Sequence, residues 1–129
     1  MKLSKICLVL LIIICANCSI DKSVVISSTV ATTPPPYSTS ILNKTTIKSQ
    51  KVELGTRPPG ATTTLTINVG NNQLIIQCEE LIINQNITFN GSGATVIIEY
   101  SKLSNTSYQI NHALGTSGTF RMEKKKISF

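Results

Sequence analysis

The chain has few of the residues on which most catalytic sites depend. It contains no tryptophan and one histidine, His112. No nucleophile motif surrounds that histidine, so it is predicted to be structural or solvated. A carboxylate pair of Glu79 or Glu80 with Glu99 or Glu123 is conceivable, but adjacent carboxylates at a strand end are usually solvated. With no clustered metal ligands and no phosphate-binding glycine loop, we expect no enzymatic activity and no cofactor or metal.

Cysteine is also scarce, which excludes a disulfide scaffold. Of four cysteines, Cys7 and Cys15 lie in an apolar N-terminal run, and Cys18 lies at the predicted cleavage boundary. Only Cys78 belongs securely to the mature chain. It shares strand parity with Leu74 and Ile76, which favours a buried free thiol. A bridge between Cys18 and Cys78, or an intermolecular pair, stays open.

Acidic residues are few, so the chain is basic, with 12 Lys and Arg against six Asp and Glu. Loss of Lys2 and Lys5 with a leader would leave a charge of +4. Four basic residues lie near the C-terminus, where Arg121 precedes Lys124-Lys125-Lys126. This end is predicted to be solvated, with a weak polyanion-binding patch as the alternative. Because no aromatic residues are interleaved with a basic face, we expect no nucleic-acid partner.

The N-terminus has the organisation of a signal peptide. Two lysines precede an apolar run over residues 6–15, and Ala16-Asn17-Cys18 supplies small residues for cleavage after Cys18 or, alternatively, after Ala16. The run is shorter than the ~20 residues of a membrane-spanning helix. We predict a signal peptide over residues 1–18, a secreted, extracellular product and no stable transmembrane anchor. A lipid anchor on Cys18 and an uncleaved anchor are the alternatives.

The next segment is rich in Ser, Thr and Pro, above all between residues 27 and 64. Such a composition buries little apolar surface against the entropy of ordering the chain. Residues 19–64 are therefore predicted to form a disordered stalk. A short strand over residues 47–54 is possible and would move the domain boundary earlier.

From residue 65 onward the pattern predicts a small β-domain that reaches residue 129. The clearest strand spans residues 81–90, where Leu81, Ile83, Ile87 and Phe89 alternate with polar residues. The turn Asn90-Gly91-Ser92-Gly93 follows it, and no segment has a helical period. The predicted fold is all-β, a small antiparallel β-sandwich or a partly open barrel. A parallel β-helix is the rival, disfavoured because the region holds about three rungs and no fixed period repeats.

The mature region contains four N-glycosylation sequons, which begin at Asn43, Asn86, Asn90 and Asn105. Asn86 and Asn90 have the polar parity of their strand, so their side chains are predicted to face solvent. We expect a secreted or cell-surface glycoprotein that acts as a recognition or adhesion module for an extracellular protein or glycan ligand. The alternative is a structural component of an extracellular coat or matrix.

Overall fold

The computed structural model describes residues 21–27, 37–56, 64–105 and 107–129. These ranges contain nine strands and no helix of the length and apolar character that a transmembrane segment has. The strands are β1 (Asp21–Ile26), β2 (Tyr37–Ser40), β3 (Thr45–Leu54), β4 (Thr64–Gly70), β5 (Gln73–Ile83), β6 (Asn86–Gly91), β7 (Thr95–Ser104), β8 (Ile110–Ala113) and β9 (Thr119–Lys124).

The strands form two parallel sheets that the chain visits alternately. The five-stranded sheet has the order β1-β3-β5-β7-β9, and the four-stranded sheet has the order β2-β4-β6-β8. Every pair of neighbours in both sheets is parallel. The chain therefore winds as a β-solenoid of about four turns. The predicted antiparallel sandwich or barrel is wrong. The parallel β-helix, which the sequence pattern disfavoured, has the correct architecture.

The turns are correctly located in the sequence, but they have a different role. The turn at residues 70–72 connects β4 to β5, and the turn that begins at Gly91 connects β6 to β7, so each joins strands of different sheets. Gly70 has a φ of 65°, which a side chain rarely adopts. A Cβ at Gly91 would lie 2.6 Å from the carbonyl oxygen of Gly70, because successive turns stack directly on each other. These glycines make corners of the solenoid and no hairpins.

The core consists of aliphatic columns that run along the solenoid axis. In the five-stranded sheet, Leu74 pairs with Val96 and Ile76 pairs with Ile98, and all four side chains are fully buried. In the four-stranded sheet, Ile67 pairs with Phe89, again with no exposure. Parallel strands in register place like positions above each other, so each turn extends the same columns.

The predicted strand over residues 81–90 is divided between the two sheets. β5 ends at Ile83, and β6 begins at Asn86 after a corner at Asn84 and Gln85. The predicted parity is confirmed, since Ile83, Ile87 and Phe89 are buried. Gln85 has the same parity and is also buried; its Oε1 accepts a hydrogen bond from the Thr56 backbone N–H at 3.1 Å. The alternation of buried and outward side chains continues around the corner because the buried carboxamide of Gln85 has a hydrogen-bond partner.

Strands also occur within the segment that was predicted to be a disordered stalk. The possible strand at residues 47–54 is present as part of β3, and its Val52 and Leu54 are fully buried. β1 pairs with β3, and β2 pairs with β4. The described parts of residues 19–64 thus belong to the solenoid. The predicted signal peptide, residues 1–18, lies outside the described residues.

Replacing Phe89 with Ala should lower the free energy of unfolding by about 3 to 5 kcal/mol, because the side chain is fully buried in the core. Asn90→Gln, one position away on the solvent side, is the matched control and should change it by no more than about 0.5 kcal/mol. Denaturant unfolding of both variants, made without glycans, measures the difference. Equal stability of the two variants would mean that the β6 register is wrong.

Candidate recognition surface

The two sheets of the solenoid have chemically different strands. Each strand of the five-stranded sheet contains at least one Lys, Arg, Asp or Glu. The strands of the four-stranded sheet contain none. Among the described strands, charged residues are therefore confined to the five-stranded sheet.

Two rows of small outward side chains cross the four-stranded sheet. We call this surface the polar face. Its rows are Ser38, Thr66, Thr88, Asn111 and Ser40, Asn68, Asn90, Ala113, each in register across β2, β4, β6 and β8. These positions alternate with buried ones such as Leu65 and Ile87. Neighbours within a row are about 4.8 Å apart, and the rows are separated by about 6.6 Å along the strand. The result is a regular lattice made almost wholly of hydroxyl and carboxamide groups.

Two of the predicted glycosylation sites lie on the outward side of β6. Asn90 is exposed within the polar face. Asn86 begins the strand and is half-buried; its Oδ1 accepts a hydrogen bond from the Gln109 N–H at 2.9 Å. The predicted orientation of both side chains agrees with the structure, while their glycosylation stays a prediction.

The other two predicted sites lie at corners, away from the polar face. Asn43 is exposed between β2 and β3, where its carbonyl accepts the Thr45 hydroxyl at 2.8 Å. Asn105 is exposed after β7; its Oδ1 accepts the Tyr108 N–H at 2.9 Å, and its Nδ2 donates to the Tyr108 carbonyl at 2.8 Å. The structure brings Asn86 and Asn90 together on one strand and keeps Asn43 and Asn105 separate from them.

The outer side of the five-stranded sheet is covered in part by the C-terminal segment, residues 125–129. The Ser101 hydroxyl on β7 donates to the Ile127 carbonyl at 2.8 Å, and the Phe129 N–H donates to Glu79 Oε2 on β5 at 3.0 Å. Lys51, Glu80 and Lys102 form an in-register row of alternating charge on the same sheet. This side is therefore occupied in part by the chain itself and by its own ion pairs.

Glu99 is the most buried carboxylate on that side, with 5% exposure. Gln77 Nε2 donates to its Oε1 at 2.8 Å, and Lys125 Nζ lies 3.4 Å from its Oε2. The pKa of Glu99 lies below its ordinary value, chiefly because of the Gln77 hydrogen bond, with Lys125 contributing and burial opposing. The carboxylate thus stays ionised and attaches the C-terminal segment to the sheet.

The carboxylates that could have formed a catalytic pair each have separate partners. Glu80 accepts the Ser104 hydroxyl at 2.9 Å, and Glu123 lies 3.5 Å from Arg121. The His112 ring stacks on Phe120 with centroids 4.4 Å apart. The described ranges contain no group of three potential metal ligands. The arrangement offers contacts and ion pairs, and the expectation of no enzymatic activity stays a prediction.

Cys78 is fully buried in β5, as its parity predicts, and it is a free thiol. Its Sγ lies 3.9 Å from the Glu99 carbonyl oxygen, to which it can donate. Burial, and secondarily the charge of Glu80, raises the pKa of the Cys78 thiol to about 11. Cys18 lies outside the described residues.

Comparison with protein-family models, with curated proteins and with solved structures gives no match to this chain. The assignment of function therefore depends on the surfaces themselves.

Sequence reasoning missed the polar face, although its signal is present in the sequence. The segments that form β2, β4, β6 and β8 are free of charged residues, while those between them are not. The pattern becomes visible only when alternate strands are assigned to one sheet, which an antiparallel interpretation does not do.

Cys78 should react with thiol reagents only when the domain unfolds. A pKa near 11 instead of 9.0 lowers the thiolate fraction at pH 8 by about a hundredfold, in addition to the steric protection of burial. Because the folded-state pKa is the higher one, stability should also fall as the pH rises from about 9 to about 11. Alkylation rates measured with and without denaturant check the predicted protection of the thiol. Rapid modification of the native protein at pH 8 would contradict the burial of this thiol.

Proposed function

We propose that the protein is a secreted or cell-surface glycoprotein that acts as a non-enzymatic recognition module and binds an uncharged glycan through the polar face. The observation that carries the proposal is the complete lack of charged residues in the strands that form this face. Its own sugars are assigned to Asn43 and Asn105 at the corners. The secreted location rests on the signal peptide predicted over residues 1–18.

The chemistry of the polar face matches that of a neutral sugar. A hydroxyl group both donates and accepts hydrogen bonds, and a carboxamide has separate donor and acceptor atoms. Sugar hydroxyls have the same dual capacity. A nucleic acid or another polyanion would instead require lysine and arginine side chains, because phosphate contacts dominate such binding. The face therefore favours a ligand recognised by many neutral hydrogen bonds.

The construction of the face also favours binding. Its strands pair in register, and the buried side chains beneath them hold the backbone in place. Thr66 and Thr88 are β-branched, which restricts χ1 and lowers the entropy lost when a ligand binds. A repeating lattice is suited to a repeating polymer, since successive sugars can make equivalent contacts with successive strands.

Placing a charge in the polar face should weaken binding of the glycan. Thr88→Arg introduces a long cation at the centre of the face, so we expect affinity for a neutral polysaccharide to fall at least about tenfold through steric exclusion and desolvation. Thr46→Arg, on the outer side of β3 in the other sheet, is the matched control and should bind like the wild type. Calorimetry with a β-glucan, a mannan and an anionic polysaccharide measures both variants.

Binding of the neutral ligand should also be insensitive to salt, since screening affects charged contacts. Preference for the anionic polysaccharide with strong salt dependence, or equal losses in both variants, would refute the assignment of this surface.

A structural role in a coat or matrix is the second candidate, and one observation favours it. The Asn86 and Asn90 sequons both lie on the outward side of β6, with Thr88 between the two asparagines. Sugars attached there would cover the lattice, and the face would then display glycans instead of binding them.

Mapping the occupied sequons separates the two functions. On the recognition proposal, the secreted protein carries glycans on Asn43 and Asn105, while Asn86 and Asn90 are unmodified. Glycopeptide mass spectrometry of the protein from a eukaryotic secretory host gives the answer. High occupancy of Asn86 or Asn90 would count against recognition through this face and support the coat function.

A further inference from the structure

The C-terminal end of the solenoid has two strand edges with no neighbour. β8 and β9 are the outermost strands of their sheets, and within the described ranges each pairs with one strand only. The C-terminal segment after β9 crosses the outer side of the five-stranded sheet and leaves this end open. An unprotected edge is a template for pairing with another strand.

The hydrogen-bonding groups of β9 divide into two sets. The Thr119 N–H donates to the carbonyl of Ala94, the residue before β7, and the Lys125 N–H donates to the Tyr100 carbonyl on β7. In a parallel pair, alternate residues bond to the same neighbour, so Arg121 and Glu123 also turn toward β7. The N–H and C=O groups of Phe120, Met122 and Lys124 therefore point to the free edge.

The same end also leaves part of the core incompletely covered. Ile110, Phe120 and Met122 pack against the buried core but keep partial exposure. His112 stacks on Phe120 across this end, and Phe120 in turn lies 5.7 Å from the Phe89 ring. A further layer of strands would complete the burial of this aromatic cluster.

We propose that a second copy of this chain occupies the open end, with β9 paired antiparallel to β9 of the partner subunit about a two-fold axis at Met122. The charges of β9 select this register. It places Arg121 opposite Glu123 of the partner subunit, and Glu123 opposite Arg121 of the partner subunit. Both pairs are outward and in non-hydrogen-bonded positions, where opposing side chains are closest.

Neighbouring registers are electrostatically worse. An axis at Arg121 sets the two Arg121 side chains against each other, and an axis at Glu123 does the same with the two Glu123 carboxylates. Like charges directly opposite each other are destabilising. With the axis at Met122, the edge groups of Met122 bond to their own copies, and those of Phe120 bond to Lys124 of the partner subunit. An isologous contact of this kind closes as a dimer and cannot grow into a filament.

Charge reversal tests both the contact and its register. Arg121→Glu places Glu against Glu123 of the partner subunit, and Glu123→Arg places Arg against Arg121 of the partner subunit. Each single variant should dimerise at least about tenfold more weakly than the wild type. An equimolar mixture of the two single variants should form a heterodimer, because both cross-pairs are then attractive. The double variant R121E/E123R should restore the homodimer.

Sedimentation velocity from micromolar to millimolar concentration measures each species, and circular dichroism checks that each variant folds. Both side chains are about half exposed, with 56% and 46% of their side-chain area accessible, so reversal should be tolerated by the fold. A wild type that is monomeric up to millimolar concentration overturns the proposal. So does a mixture of single variants that shows no heterodimer.

A backbone substitution gives an independent test. Lys124→Pro removes an N–H that points to the free edge and leaves the ladder to β7 intact, so the subunit should fold while dimerisation is lost. Lys124→Ala keeps that N–H and should dimerise like the wild type. Equal dimerisation of the proline and alanine variants would show that the β9 edge is not the contact.

Discussion

In-register parallel stacking is the constraint on which the structure depends. Each turn of the chain places a strand directly above the equivalent strand of the preceding turn, so that Ile76 lies beside Ile98 and Leu65 lies beside Ile87. The fully buried aliphatic columns supply the main favourable free energy of folding. Corners must then be narrow, which explains why Gly91 approaches the Gly70 carbonyl too closely for a Cβ.

Stacking also determines the surfaces. Because strands of successive turns lie side by side in each sheet, the kind of residue that occupies the outward positions of one strand is repeated across the whole face. The strands of the four-stranded sheet give an uncharged lattice of hydroxyl and amide groups, while the other sheet contains a row of alternating charge formed by Lys51, Glu80 and Lys102. Ends differ from faces, since an end has unpaired backbone groups and incomplete burial. The proposed ligand contact uses a face and the proposed dimer uses an end, so the two are compatible in one molecule.

Strand parity was predictable from the sequence, and strand pairing was not. Ile83, Ile87, Phe89 and Cys78 are buried as their alternation predicts, because parity depends only on local geometry. Pairing depends on how many residues the chain uses before it returns to the same sheet, and this number differs from turn to turn. Successive stacked positions in the five-stranded sheet are 29, 22 and 24 residues apart, at Thr45, Leu74, Val96 and Phe120. Unequal connections conceal the repeat. At β3, composition indicated disorder and the alternation left a strand over residues 47–54 open; the structure has that strand, and its Val52 and Leu54 enter the core. The outward orientation of Asn86 and Asn90 followed from parity, whereas the polar face required knowledge of which strands share a sheet.

The most direct test of this account is an NMR measurement of backbone contacts between strands in the isotopically labelled protein. Parallel stacking predicts backbone-to-backbone nuclear Overhauser effects between Ile76 and Ile98 and between Ile87 and Ile110, in the staggered pattern of parallel strands. A hairpin through the turn at residues 90–93 would instead join the backbones of Ile87 and Val96 in an antiparallel pattern. Observation of the first set supports the solenoid and the faces that follow from it, and observation of the second would contradict both.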